Sequence, residues 1–223
     1  MKINLSFTEE NYLKAIFSLA ADKKKGVTTN SIAEKLNTKA SSVTDMIKKL
    51  ADKKLVKYEP YQGVTLTKVG EKIAVFTIRK HRLWEVFLVE KLKFGWDEVH
   101  DIAEQLEHIQ SEELVNKLDG FLGFPKTDPH GDPIPDKNGK MYSHPATILL
   151  CECKANDKGK ISGVNDISSD FLKYLTEHEL TLGANIKIIQ RFDFDNSFEI
   201  EINRKKKITV SQLVTKNIYL RKM

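Results

Sequence analysis

The ten residues VHDIAEQLEH, 99–108, place His100, Glu104, Glu107 and His108 in one short stretch. Imidazole nitrogens and carboxylate oxygens are lone-pair donors, and on a helix of 3.6 residues per turn offsets of four, seven and eight bring them to a single face. Such a face can hold a divalent cation. It can equally be a solvated charged stripe, with Ile102, Ala103 and Leu106 turned to the core. A second pair, His81 and Glu85, stands at i, i+4 earlier in the chain and offers two more ligands if its helix packs against 97–110.

His81 and Glu85 lie in the last third of TKVGEKIAVFTIRKHRLWEVFLVEKL, 67–92, which keeps helical spacing for about seven turns. A helix longer than a small domain needs predicts a dimer contact. Before it, Ser6 and Glu9 form a capping-box pattern, and Tyr12, Leu13, Ile16, Phe17 and Leu19 recur at helical spacing to about Ala20. Two short helices follow, one around Ile32, Ala33 and Leu36 and one around Val43, Met46, Ile47 and Leu50, joined by the turn NTKA. That is a helix-turn-helix, whose second member enters the DNA major groove with its N-terminal residues toward the bases. Lys39, Ser41, Ser42, Thr44 and Lys48 are its candidate DNA-binding residues, hydroxyls for bases or phosphates and lysines for phosphates, with Asp45 and Lys49 beside them. Ser41 and Ser42 can also serve as N-caps. The runs LVKYE and VTLT, separated by PYQG, predict a β-hairpin wing with Tyr61 and Gln62 at its tip.

The charge of the 223-residue chain supports this division of labour. Residues 1–60 carry 12 Lys and no Arg against 7 Asp plus Glu, a balance of +5, while 24 basic and 24 acidic residues cancel in the remainder. A basic excess confined to one segment fits a polyanionic partner there. No apolar run reaches the roughly 20 residues of a membrane span, and the N-terminal residues have no signal-peptide core, so the expectation is a cytoplasmic protein that meets no membrane. The two cysteines, Cys151 and Cys153, read as strand residues sharing one face, without the partners for zinc and poorly placed for a disulfide.

Taken together, RKHRLWEVFL followed some fifteen residues later by VHDIAEQLEH, behind a winged helix opening with TEENYLKAI and ahead of GDPIP, resembles the diphtheria toxin repressor and manganese transport regulator family of metal-dependent repressors. The resemblance covers nearly the whole chain. It implies an ancillary metal site at His81, Glu85 and His100, and a primary site at Glu104, Glu107 and His108 with a first-helix ligand at Asn11. In iron-sensing members a cysteine stands where this chain has Glu104; manganese-sensing members have glutamate there. A second first-helix carboxylate of the manganese type falls on Lys14. Oxygen and imidazole donors without sulfur favour Mn2+ or Fe2+, although raw affinity ranks Zn2+ higher.

Residues 121–146 hold most of the prolines without periodicity and read as a linker, with His130 and His144 as solvated loop histidines. Beyond them TILLCECK, GKISGVND, NIKIIQRFDFD, SFEIEINRK and NIYL predict short strands, with a helix near SDFLKYLTEHELTLG ended by Gly183. This resembles the SH3-like domain appended to many family members, from which Asp170 would reach the ancillary metal or simply cap its helix. The expected fold is therefore α+β: a winged helix-turn-helix over 1–66, a helical metal-binding and dimerisation domain over 67–124, a linker over 125–146, and a small SH3-like β-barrel over 147–223. The expected function is a homodimeric repressor that needs Mn2+ or Fe2+ to bind a double-stranded DNA operator. A winged-helix regulator of a small organic ligand and a metal-dependent hydrolase are the alternatives. The hydrolase would need an open coordination position and a general base, and neither can be read from the sequence.

Overall fold

The computed structural model describes residues 4–20, 26–59, 62–141 and 146–223, so the readings on Tyr61 and His144 fall outside the described residues. The chain divides into two compact units, one of residues 1–81, 105–113 and 135–140, the other of residues 82–104, 114–134 and 141–223.

In the first unit Ser6 and Glu9 cap α1 (Phe7–Leu19) as the pattern predicts. The Glu9 backbone N–H donates to Ser6 Oγ at 3.3 Å and the Ser6 N–H donates to the Glu9 carboxylate at 2.8 Å. The helix-turn-helix follows as α2 (Thr29–Lys35), capped by the Thr28 hydroxyl, and α3 (Ala40–Asp52). Lys39 takes the extended N-cap position of α3 and makes no side-chain cap bond, so Ser41 and Ser42 sit inside the first turn and are not the caps. β1 (Val56–Glu59) pairs antiparallel with β2 (Gly63–Leu66) to make the wing, and Val27 bridges to Val64 on its other edge. A side chain at Gly26 would meet the Gln62 carbonyl oxygen at 2.3 Å, which is why glycine stands at this crossing. Leu13, Ile16, Ile32, Val43, Ile47, Leu50, Leu55 and Val64, drawn from α1, α2, α3, β2 and the residue before β1, are fully buried together. Each contributes on the order of 2 kcal/mol of transfer free energy, enough to fix how the three helices meet.

The wing leads into α4 (Lys68–Glu90), whose entry is set by Thr67: its hydroxyl accepts from the Gly70 N–H at 3.2 Å and lies 3.1 Å from the Leu55 carbonyl. The C-terminal part of α4 belongs to the second unit, with α6 (Glu112–Phe121) supplying Val115 and Leu118 to a small core around Leu83, Val86 and Ile134.

A larger core lies under an antiparallel sheet of six strands: β3 (Thr147–Leu149), β4 (Lys158–Val164), β5 (Asn185–Arg191), β6 (Phe198–Ile202), β7 (Lys206–Val210) and β8 (Ile218–Lys222). The spatial order is β3-β8-β4-β5-β6-β7. Alternation drives it. In β6 the residues Phe198, Ile200 and Ile202 are buried while Glu199 and Glu201 are partly exposed. α7 (Ser169–Glu177) and the short α8 (Gln212–Thr215) pack Leu172, Leu175 and Val214 into the same core. The expected small barrel is thus an SH3-like sheet whose first and last strands do not pair with each other. β3 stops after three residues because the chain enters a 3-10 turn at Leu150–Glu152. Cys151 lies in that turn and Cys153 just after it, not along one strand face, and burial pushes the Cys153 thiol up to about 11. α7 ends at Glu177, six residues before Gly183.

Candidate metal centre

In the first unit, α1 presents Glu10, Asn11 and Lys14, and α4 presents Lys80 and His81. Glu107 and His108 complete the group. They do not continue a helix: α5 (Val99–Leu106) stops one residue short, so the single face expected over 99–108 is broken and the two side chains leave from the turn that follows. From that turn both side chains reach α1. The Glu107 carboxylate is wholly buried and receives Lys14 Nζ at 2.8 and 2.9 Å and His81 Nδ1 at 2.6 Å. Burial alone would raise its pKa, but the His81 hydrogen bond and the Lys14 charge hold it below the ordinary carboxylate range. His108 Nδ1 lies 2.7 Å from Glu10 Oε2, and the Phe7 ring stacks on its imidazole at 4.4 Å. Gln110 donates to the other Glu10 oxygen at 2.8 Å.

Because an ionised carboxylate only accepts, Nδ1 of both His81 and His108 carries a proton, which in the neutral imidazole leaves the lone pair on Nε2. This is the tautomer a metal-binding histidine adopts when a neighbouring carboxylate orients it. Asn11, the expected first-helix ligand, has its Oδ1 buried without a hydrogen-bond partner.

The second unit holds a cluster that the sequence concealed. Residues 125–134 are not a solvated linker. Asp128 Oδ1 accepts from the backbone N–H groups of His130 and Asp132 at 2.8 and 2.9 Å, Thr127 bridges to Pro133, and Asp128, His130, Pro133 and Ile134 are buried. A side chain at Gly131 would strike the Ser162 carbonyl oxygen at 2.2 Å, and its φ of +95° needs glycine, so the loop can lie directly on β4. This corrects the reading of His130 as a solvated histidine: it is 3% exposed, and its Nε2 donates to the Trp96 carbonyl at 2.8 Å.

With Nε2 so engaged, His130 Nδ1 is the ring atom left toward Glu85, 3.6 Å from its Oε2. One ligand atom from each of Glu85, Asp128 and His130 falls within 4.8 Å of the others. Burial, then the charges of Glu85 and Asp132, push the Asp128 carboxyl up to about 7, against the pull of Arg82. Burial opposes a charged His130 as well, yet its contact with Glu85 raises its pKa. Two carboxyl groups and an imidazole buried this close together are an arrangement that a cation relieves.

The remaining expected ligands are placed less deeply. His100 Nδ1 lies 3.4 Å from Glu85 Oε1, and its Nε2 lies 3.9 Å from Glu104, whose side chain is 42% exposed. Asp170 is exposed in the first turn of α7. Of the expected DNA-binding residues, Lys39, Ser41, Ser42 and Lys48 are exposed on α3, and Thr44, half-buried, donates its hydroxyl to the Ala40 carbonyl at 3.0 Å. Glu10 and Asp128 were missed. An acidic residue in a first helical turn reads as a partner of the helix dipole, and one between prolines reads as turn chemistry.

The donor sets fit a divalent cation on two counts: the orphaned Asn11 oxygen, and the buried Glu85, Asp128 and His130 ligand atoms within 4.8 Å of one another. Carboxylate, carbonyl and imidazole donors without thiolate suit Mn2+ or Fe2+.

Comparison with known proteins gives three family matches that together run along the chain: the iron dependent repressor N-terminal DNA binding domain at residues 4–64, the iron dependent repressor metal binding and dimerisation domain at 67–136, and the FeoA domain at 148–222. The iron-dependent repressor IdeR of Mycobacterium tuberculosis is 35% identical over 130 residues, 57% of this chain and 55% of that protein, so the chain spans about half the length of such curated relatives. The diphtheria toxin repressor of Corynebacterium diphtheriae is 28% identical over 195 residues, 82% of this chain and 85% of that protein. A solved structure of a manganese-dependent transcriptional repressor in complex with manganese superposes with a TM-score of 0.86 at 33% identity, over 96% of this chain and 100% of that one. With a repressor matched from end to end at that identity, and both halves of the repressor architecture in the same order, the chain belongs to the diphtheria toxin repressor and manganese transport regulator family of metal-dependent transcriptional repressors.

Proposed function

We propose that this chain is a cytoplasmic, homodimeric transcriptional repressor, not an enzyme, which binds a double-stranded DNA operator when Mn2+ or Fe2+ is bound. The observation that carries the reading is the buried Glu85, Asp128 and His130 cluster in the same chain as a winged helix with an exposed recognition helix. Residues 1–66 read DNA, 67–124 hold metal and the dimer contact, and 147–223 form the appended SH3-like domain. Asn11, Glu107 and His108, with the newly found Glu10, offer donors for one ion. Glu85, Asp128 and His130 offer donors for another, with His100, Glu104 and Asp170 as further candidates, while His81 stands with the first ion's donors beside Glu107. Bound there, a divalent cation supplies the positive charge that lets carboxylates and imidazoles from separate stretches of chain stay buried together.

The DNA-facing side rests on α3. Its N-terminus has no side-chain cap, so the first N–H groups are left for a phosphate oxygen, and Lys39 stands beside them. No helix among the described residues is long and apolar enough to cross a membrane. Duplexes selected from a random library in the presence of Mn2+, then re-run in mobility shifts with Mn2+, Fe2+ or chelator, test the reading. Retention should be lost in chelator; equal retention in chelator removes the metal-dependent repressor.

A further inference from the structure

We infer that Lys14 is a resident cation of the first-unit site, seated on the carboxylate that a divalent ion needs, so that uptake of the ion there is an exchange in which the ammonium is expelled. The inference rests on the proposed metal-dependent reading and concerns how the same site is controlled.

The geometry is that of a chelated ion. Lys14 Nζ contacts both Glu107 oxygens, at 2.8 and 2.9 Å, and the two side chains are 17% and 0% exposed. Exposed pairs of this kind are weak, but a carboxylate with no access to water must keep a counter-charge, because removing one partner strands the other. The charge of Lys80 also acts on Glu107, but its ion pair is with Glu10, at 3.9 Å, so it replaces the two short Lys14 contacts poorly. A metal ion approaching Glu107 meets a carboxylate whose two oxygens already accept from Lys14 and, at Oε2, from His81. Two cations cannot share that bidentate position. Lys14 also lies one turn from Glu10 on α1, so the same contact fastens α1 to the turn after α5 when no ion is present. Lys14 therefore lowers ion affinity while stabilising the ion-free fold, and a threshold concentration of metal follows from that competition.

The test combines labelling and substitution in the full chain. An amine-reactive reagent, read by peptide mass spectrometry, should modify Lys14 more readily in saturating Mn2+ than in chelator. Lys14→Leu should tighten Mn2+ binding at least about tenfold in competition with a chromophoric chelator and lower the melting temperature of the ion-free protein. Lys14→Arg, which keeps the charge, should stay near the parent in both. The titrations are done in a His130→Ala background, so that the site beside Lys14 is the one read. Labelling that is unchanged or reduced by Mn2+ overturns the inference even if Lys14→Leu does not fold, as does unchanged affinity in Lys14→Leu. A protein that takes up no Mn2+ at all overturns the proposed function along with it.

Discussion

Glu9 shows how much one carboxylate can organise before any site is considered. It closes the capping box with Ser6 and pairs with Lys53 at 2.7 Å, so one charge anchors both the start of α1 and the end of α3. Burial works against ionisation there, but the Lys53 contact and the Ser6 hydrogen bonds outweigh it and lower the pKa. A carboxylate with a depressed folded pKa stabilises the fold at pH above its unfolded value, and that stability is lost as pH falls through the folded one. Glu9→Ala should therefore cost about 1 kcal/mol at pH 7. The gap to the parent should narrow as pH falls below the ordinary glutamate value of about 4.3, because the unfolded carboxyl protonates before the folded one. Urea denaturation at both pH values measures it, and a pH-independent gap would leave the capping geometry, not the charge, as the cause. At this scale residue type spoke clearly for Glu107 and His108, which differ from a plain amphipathic face. It said nothing of Asp128 and His130, whose burial depends on a glycine-permitted approach to a strand about thirty residues later.

Among the elements, α3 joins local sequence to function most directly. Its buried side, Val43, Ile47 and Leu50, is fixed by helical periodicity, and this same periodicity turns Ser41, Ser42, Lys48 and Lys49 outward. Lys48 lies 3.9 Å from Asp45, but both side chains are well exposed, so the pair does little to hold the lysine back from a phosphate. Lys39→Ala and Lys48→Ala should each weaken operator binding uniformly across sequences and reduce the slope of log affinity against log salt by about one unit, with metal affinity unaltered. An unchanged slope in both variants would move the DNA contact elsewhere. Periodicity made α1 to α4 and the wing legible, because each buries one stripe within its own neighbourhood. It failed at Leu106, where the helix ends and the side chains of Glu107 and His108 meet partners about a hundred residues away, and at α6, whose ten residues bury only Val115 and Leu118. β7 was hidden as well: KKITV buries only Val210 and looks like polar loop sequence.

For the molecule as a whole, both units put their ionisable donors in places where sequence-distant segments meet, which is why composition announced the class of protein but not its full ligand set. The six-stranded sheet carries a different consequence. An unclosed sheet ends in two rows of unsatisfied backbone groups, and each such row is a template for another chain. One edge here is the three-residue β3, too short to recruit a partner strand firmly; the other is β7, which opens with Lys206 and Lys207 after Lys205. Two ammonium groups at the start of that strand, with a third in the turn before it, repel the same edge of a second molecule, so the lysines would act as solubility guards for a domain otherwise built of alternating isoleucines. Replacing Lys205, Lys206 and Lys207 with threonine should leave the monomer fold and its circular dichroism intact yet produce concentration-dependent light scattering on warming, and a variant that stays clear would assign that protection to the strand's twist instead of its charge.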